Sequence, residues 1–323
     1  EKKRGKMNYY QYSDYLKDKY GEKVYKLPIS LPCTCPNRDG TAGQGGCTFC
    51  GDNATGFELL SSDLPVSQQL RLNRERIGKR YGAKKFIVYF QNFSNTYLPL
   101  PQLSDYLHQA VQEGVVQVAL STRPDCISIP CLEMLKRFSE NTGIDIALEL
   151  GVQTAQYRTL RKIHRGHTLA EVIDAVGMIR QYFFEIGCHV ILNLPWDTEE
   201  DVIETAKILS ALRVDTVKLH SLYLLKNSEM GRQYRKGVFS LISREEYEER
   251  VITFLQYLSP DIAIQRLLAR APEGDALFCN WNTSWWKIRD HIVERMQQEN
   301  RRQGDLFHYL GGSAVRFQYE EQS

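Results

Sequence analysis

Six short runs rich in apolar and β-branched residues punctuate the first two thirds of the chain, at 23–31, 85–91, 115–121, 144–151, 187–194 and 216–222. Between them lie stretches whose apolar residues recur at helical spacing, at 101–113, 130–139, 169–182 and 199–212. Strands alternating with helices in this order predict repeated βα units around a parallel sheet. Phe86-Ile87-Val88-Tyr89-Phe90 is a nearly continuous apolar run, as expected of a strand covered on both faces. The fold class expected is α/β, a partial, six-unit TIM-type barrel with its chemistry at the C-terminal ends of the strands, where the βα loops converge. The rhythm weakens after 225, where helical patterns at 245–257 and 285–302 point to an α-rich extension. The expected organisation is an N-terminal segment (1–22), a core barrel (23–225) and a C-terminal extension (226–323).

Composition narrows the class. The chain of 323 residues is 42% hydrophobic, enough for a substantial core, and its formal charge of +2 neither requires nor excludes a polyanionic partner. No apolar run is long enough to span a bilayer, and the charged start, Glu1 to Lys6, lacks the apolar stretch of a secretory signal. A cytoplasmic protein with no membrane partner is expected. Eight cysteines in a chain this long are too few and too scattered for a disulfide framework, so clustered thiols point to metal or catalysis.

Such a cluster follows the first predicted strand. Cys33-Thr-Cys35 and Cys47-Thr-Phe-Cys50 bracket a stretch with Pro36 and several glycines, which argues for a shaped loop rather than helix or strand. The two-residue gap lets the Cys47 and Cys50 thiolates converge on one metal centre, and Cys35 can return across the loop as a third ligand. Three thiolates on a four-iron cluster would leave one iron open to a ligand, as a working metal site requires. Four cysteines across a glycine-rich loop are also a pattern for structural zinc. Cys33 is two residues from Cys35, and an extended segment would point both the same way.

The loop resembles that of the radical S-adenosylmethionine (SAM) superfamily, specifically its YhcC/YtqA-like subfamily with an elongated cysteine spacing. Phe49 matches an aromatic position of that motif. The resemblance continues through Tyr89-Phe-Gln91 with Asn95-Thr96, Thr122-Arg-Pro-Asp-Cys126, Glu149-Leu-Gly-Val-Gln-Thr154, Arg165-Gly-His167 and Lys218-Leu-His220, at or just beyond predicted strand ends, and covers residues 8 to 235. It implies a radical SAM barrel with a 4Fe-4S cluster on Cys35, Cys47 and Cys50, whose open iron chelates S-adenosyl-L-methionine for reductive cleavage to a 5'-deoxyadenosyl radical. It implies cofactor contacts at Phe49, Glu149, Gln153, Arg165 and Asn193, with Arg165 suited to the SAM carboxylate. At Asn193-Leu-Pro-Trp196 many relatives carry glycine at the first and last positions.

The subfamily is similar to the catalytic subunit of Elongator, which implies tRNA wobble-uridine modification, with tRNA as substrate and a flavodoxin or ferredoxin as electron donor. Radical chemistry on a small metabolite stays open, because 264–270 reads Ile-Gln-Arg-Leu-Leu-Ala-Arg where tRNA-associated relatives carry a histidine and a glycine-aspartate pair. A zinc-stabilised binding protein is the non-enzymatic alternative. Glu149 could instead pair with Arg123 or Arg165, and His167 and His220 read as hydrogen-bonded barrel-mouth residues. Cys126, Cys131, Cys188 and Cys279 read as small buried hydrophobes. Trp281, Trp285 and Trp286 with Arg266, Arg270, Lys287, Arg289 and Arg295 could stack bases and neutralise phosphates. They could instead pack the extension onto the barrel while the cations face water, and that reading is preferred.

Overall fold

Strands β1 (Val24–Ile29), β2 (Lys85–Phe90), β3 (Val115–Thr122), β4 (Asp145–Gln153), β5 (Glu185–Ile191) and β6 (Thr216–His220) pair side by side in chain order, all parallel. The structure, a computed structural model, describes residues 8–51, 59–269 and 274–318, apart from the side chains at 78–80 and 316–318. After a two-residue strand, β7 (Leu224–Leu225), the chain adds β8 (Ala263–Arg266) in parallel beside β6, so the curled half-barrel has seven strands and not six. That strand escaped the sequence pattern because it is only four residues long and ends in Gln265 and Arg266. The C-terminal third of the chain thus contributes one sheet edge. A short β9 (Ala276–Phe278) pairs antiparallel with β7.

The described helices are α1 (Tyr12–Tyr20), α2 (Val66–Tyr81), α3 (Leu100–Gln109), α4 (Ile129–Thr142), α5 (Tyr157–Lys162), α6 (Leu169–Arg180), α7 (Glu199–Ala211), α8 (Glu229–Arg235), α9 (Arg244–Tyr257) and α10 (Trp285–Gln298). Several start where the sequence supplies a cap. On α7 the Thr198 hydroxyl accepts from the Asp201 N–H, while Asp201 Oδ2 accepts from the Thr198 N–H at 2.8 Å. No described helix is long and apolar enough to cross a membrane.

Strand alternation sorts the side chains into two environments. On β4, Ile146, Leu148, Leu150 and Val152 join the main core under the helices. Burying each such side chain contributes about 1.5–3 kcal/mol. The residues between them, Ala147, Glu149, Gly151 and Gln153, face the lumen. The N-terminal helix plugs that lumen from below: Leu16, with Tyr12, Tyr15 and Tyr20 beside it, packs on Ile87, Tyr89, Ala119 and Ala147. The Tyr20 hydroxyl donates to Asp145 Oδ2 at 2.8 Å and Lys19 Nζ to Glu185 Oε2 at 3.0 Å, fixing α1 at the starts of β4 and β5. The segment before α1 runs along the open edge, where the Ile264 N–H donates to the Tyr10 carbonyl at 2.8 Å.

A smaller core, with Leu160, Ile163, Ile191, Leu194, Leu222, Leu224 and Met230 at its centre and Phe49 and Trp196 against it, lies at the opposite end. It carries the cysteine loop. The Thr48 N–H donates to the Ile163 carbonyl at 3.0 Å, and the Met230 N–H, near the start of α8, donates to the Thr48 carbonyl at 2.8 Å.

Candidate active site

The cysteine loop closes the C-terminal mouth of the barrel over a cavity of about 270 Å³, and Cys35, Cys47 and Cys50 all line it. Loop turns make this possible: Gly46 takes φ +86°, open to glycine at no steric cost, and a Cβ there would crowd Arg38. The Asn37 side-chain amide donates to the His164 carbonyl at 2.6 Å and approaches Cys47 Sγ at 3.4 Å, tying the loop to the segment after α5. Cys33 is not among the lining residues. Its sulfur turns to the Asn92 carbonyl (3.5 Å) and Asn95 Oδ1 (3.7 Å), and burial pushes its thiol up to about 12. Cys33 and Cys35 therefore do not point the same way, because the segment is not a regular strand. Burial, with Cys47 beside it, also pushes the Cys50 thiol up to about 12, so holding a thiolate there needs a bound cation to offset the cost.

Donors surround Cys47. Arg165, buried, directs Nη1 at Cys47 Sγ (3.4 Å), Nη2 at the Gly151 carbonyl (2.7 Å) and Nε at His167 Nε2 (2.9 Å). Burial, reinforced by the Arg165 guanidinium, lowers His167 to about 3. The neutral ring thus accepts from Arg165 through Nε2 and donates through Nδ1 to the Thr168 carbonyl at 3.2 Å. Arg123 forks onto Asp125 (Nε–Oδ1 2.8 Å, Nη2–Oδ2 2.5 Å) and donates to the Arg165 carbonyl at 2.7 Å. Gln153, at a register break where β4 ends, holds φ 70°, a left-handed conformation uncommon for glutamine that keeps it on the cavity wall.

Deeper in the lumen, Glu149 is only 2% exposed. Oε2 accepts from Lys218 Nζ (2.7 Å) and His189 Nε2 (2.7 Å), and Oε1 from Gln265 Nε2 (3.0 Å) and, at very short range, Lys26 Nζ. The alternative of an ion pair with Arg123 or Arg165 is not what forms: the charged partners are lysines on β1 and β6, because those strands curl round to face β4. Burial alone would raise the carboxyl pKa, but the ammonium groups of Lys218 and Lys26 outweigh it and hold Glu149 well below the usual range. Burial drives Lys218 the other way, below its usual value, with Lys26 and Arg266 adding repulsion. His189 is lowered to about 4, first by burial and then by Lys218, so its ring is neutral. Tyr89 completes the floor: its hydroxyl meets Ser121 Oγ (2.7 Å) and accepts from Lys218 Nζ (3.2 Å).

Of the residues picked from sequence, the structure brings Cys35, Cys47, Cys50, Phe49, Glu149, Gln153 and Arg165 to one cavity. Asn193 is not among the lining residues: it is buried beneath the mouth, where its Oδ1 accepts from the Leu222 N–H at 2.6 Å. Its amide nitrogen is left without a partner among the described residues. His220 lines the cavity and His167 backs Arg165. Lys26, Arg38, His189 and Gln265 were missed. Alternation was the available signal: in Val24-Tyr-Lys-Leu and Gly187-Cys-His-Val the polar residue falls on the inward register.

Arg266, although exposed, lines the barrel cavity from the end of β8, and Arg270 lies outside the described residues. Trp281, whose Nε1 donates to the Ile242 carbonyl at 2.9 Å, and Trp285 pack on the main core, while Trp286 is 46% exposed. Cys131 and Cys188 are buried as expected, and Cys126 and Cys279 are half-buried.

Among the described residues no three His, Cys, Asp or Glu side chains converge tightly enough to share a single metal ion. The donor set fits a cluster better: three soft thiols from one loop, spread around one cavity end with N–H donors aimed at the sulfur, suit a group that binds each cysteine through a different iron.

Comparison with known proteins agrees with this geometry. The chain is 32% identical to protein MJ0486 of Methanocaldococcus jannaschii over 92% of each chain, and 30% identical to YtqA of Bacillus subtilis over 94% of each. A more distant likeness, 24% identity over 48% of this chain and 28% of the relative, is to the tRNA uridine(34) acetyltransferase of Methanocaldococcus jannaschii. The solved archaeal Elp3 of Methanocaldococcus infernus shares the fold, with a TM-score of 0.67 at 14% identity over 87% of this chain and 64% of that one. Residues 214–298 match the Radical_SAM C-terminal domain. With residues 35–209 matching the Radical SAM superfamily model, the chain belongs to that superfamily of enzymes.

Proposed function

We propose that the cavity holds a 4Fe-4S cluster on Cys35, Cys47 and Cys50, with S-adenosyl-L-methionine beside it, and that the enzyme modifies a tRNA nucleoside at the wobble uridine. The observation that carries the cofactor reading is the meeting of three thiols from one loop at the mouth of a polar, half-enclosed barrel. When bound, these groups supply a 5'-deoxyadenosyl radical. The chain's own residues position and shield it. Arg165, fixed by Gly151 and His167, presents its guanidinium edge to the cluster end and suits a carboxylate. Phe49 offers an apolar face beside the last cysteine, and Gln153 and Glu149 extend polar contacts along the wall. The loop and the small core beneath it exclude water from the reacting end. A flavodoxin or ferredoxin is the proposed electron donor.

The tRNA assignment is supported by the distant likeness to an enzyme named for uridine 34 of tRNA. Exposed Trp286, with Lys287 Nζ 5.5 Å from its ring centroid, offers a base-stacking and phosphate-binding surface outside the barrel.

The test is anaerobic reconstitution with iron and sulfide, then reduction in the presence of SAM and chromatography for 5'-deoxyadenosine. Product from wild type and none from Cys47→Ala is the expected result; bound zinc and no deoxyadenosine overturn it in favour of a zinc-stabilised protein. The tRNA assignment is checked separately. Binding should weaken with salt and with removal of Lys287 and Arg289, and no binding at any salt concentration defeats it.

A further inference from the structure

Below the cysteine end, the cavity carries more positive charge than its own residues neutralise. Glu149 is the one carboxylate among the described residues lining it. A carboxylate offers about four lone-pair positions. Those of Glu149 are taken by Lys26, Lys218, His189 and Gln265. Arg266, at the end of β8, is left to a different partner: its Nη2 lies 2.7 Å from His220 Nδ1 and 3.2 Å from Nε2. No ion pair of Arg266 with a carboxylate is found among the described residues. Its partner is also neutral, since burial and the Arg266 guanidinium hold His220 well below its usual range. A guanidinium resting against a neutral imidazole, with its side chain exposed to the cavity, retains N–H donors for which the described residues supply no carboxylate.

The position is open to a ligand. Arg266 and Lys218 line both this cavity and a second one of about 460 Å³ at the seam between β1 and β8. No carboxylate lines that second cavity among the described residues, although Lys26 and Arg289 do. The two spaces meet at the same pair of cations. The cations at the cysteine end, Arg38, Arg123 and Arg165, are separately engaged: Arg38 Nη1 donates to the Gly51 carbonyl at 2.9 Å, Arg123 pairs with Asp125 and Arg165 faces Cys47.

We infer that the inner end of the cavity is a receptor for an acidic group on the substrate, a carboxylate or a phosphate, gripped by Arg266 with Lys218 beside it and His220 as its orienting partner. The inference rests on reading the cavity as the substrate chamber and adds the substrate's charge class. Arginine suits the task because its planar fork can bind two oxygens of such a group at once. Lys218 adds a compact charge already steered by Glu149 and Tyr89.

The test is equilibrium binding to the purified full chain of uridine, 5-carboxyuridine, uridine 5'-monophosphate and glutarate. At least one acid should bind tenfold or more tightly than uridine. Arg266→Gln should shrink that advantage below threefold, and Arg266→Lys, which keeps the charge, should restore part of it. Tighter 5-carboxyuridine identifies a carboxylate receptor; tighter uridine 5'-monophosphate identifies a phosphate receptor. If glutarate matches the acidic nucleosides, the acid receptor stands and the nucleoside substrate falls. If uridine binds and neither acidic nucleoside gains, the receptor is wrong and the nucleoside reading survives. An advantage that persists in Arg266→Gln, or no binding of any acid, also overturns the receptor.

Discussion

The two ends of the cavity are built in opposite ways. The cysteine end is loop, turned by glycines and held by backbone hydrogen bonds to Ile163 and Met230, and its donors, Arg165 and Asn37, aim at sulfur from 3.4 Å. The inner end stands on strands, and its central carboxylate is saturated by four donors from β1, β5, β6 and β8. A satisfied buried network is rigid and costly to open, whereas a loop whose thiols are proposed to hold a metal group would gain order from what it binds. In the proposed function the cysteine loop carries the chemistry and the floor carries the shape against which that chemistry is aimed.

Breaking the floor gives the largest expected effect. Glu149→Gln leaves Lys218 and Lys26 in the lumen without their counter-charge, a loss of about 3–5 kcal/mol for a broken buried pair. Urea denaturation should show it. The double variant Glu149→Gln, Lys218→Met should recover part of the loss, and simple additivity would deny the coupling. The acid limb supplies a second reading of the same contact. Because the folded carboxyl pKa is depressed, its contribution is fully present above the unfolded value, about 4.3, and is lost as pH falls toward the folded one. Wild type should lose stability steeply below about pH 5, and Glu149→Gln should flatten that limb. An unchanged slope would remove Glu149 from the acid response.

The middle of the cavity joins the two ends, and Gly151 is where they touch. A Cβ at Gly151 would collide with Arg165 Nη2 and crowd Gln153 Nε2. Gly151→Ala should cost about 1–3 kcal/mol by overpacking and move the guanidinium away from Cys47. Its denaturation midpoint should fall less than that of Glu149→Gln; a larger fall would mean the cysteine end is as rigid as the floor.

The same contrast explains what was legible from sequence. The six longer strands are readable because their outward residues, such as Ile146, Leu148 and Leu150, announce themselves over several residues. The cysteine loop is readable because its ligands are neighbours in the chain. The floor is not: Lys26 and Gln265 meet across 239 residues of sequence, and no local pattern links them. The plug α1 was missed because the face it buries is largely tyrosine, so no aliphatic stripe marks it. Helix α2 carries too many arginines and glutamines to show one. Tertiary closure, rather than propensity, decides these parts.

The smallest expected effect separates Cys33 from its neighbours. All four loop cysteines look alike as a spacing, yet Cys33 faces Asn92 and Asn95 while Cys35, Cys47 and Cys50 face the cavity. A half-buried thiol with long contacts behaves as a small hydrophobe, so Cys33→Ala should cost about 1 kcal/mol or less. Its iron content after reconstitution should equal that of wild type, whereas Cys35→Ala, Cys47→Ala and Cys50→Ala should each lose the cluster while keeping their urea midpoints near wild type. Iron analysis and denaturation on the same four variants check both halves. Loss of iron in Cys33→Ala would mean that the loop rearranges on loading to bring that sulfur inward, and the division between a receptive mouth and a preassembled floor would have to include a second, larger motion of the mouth.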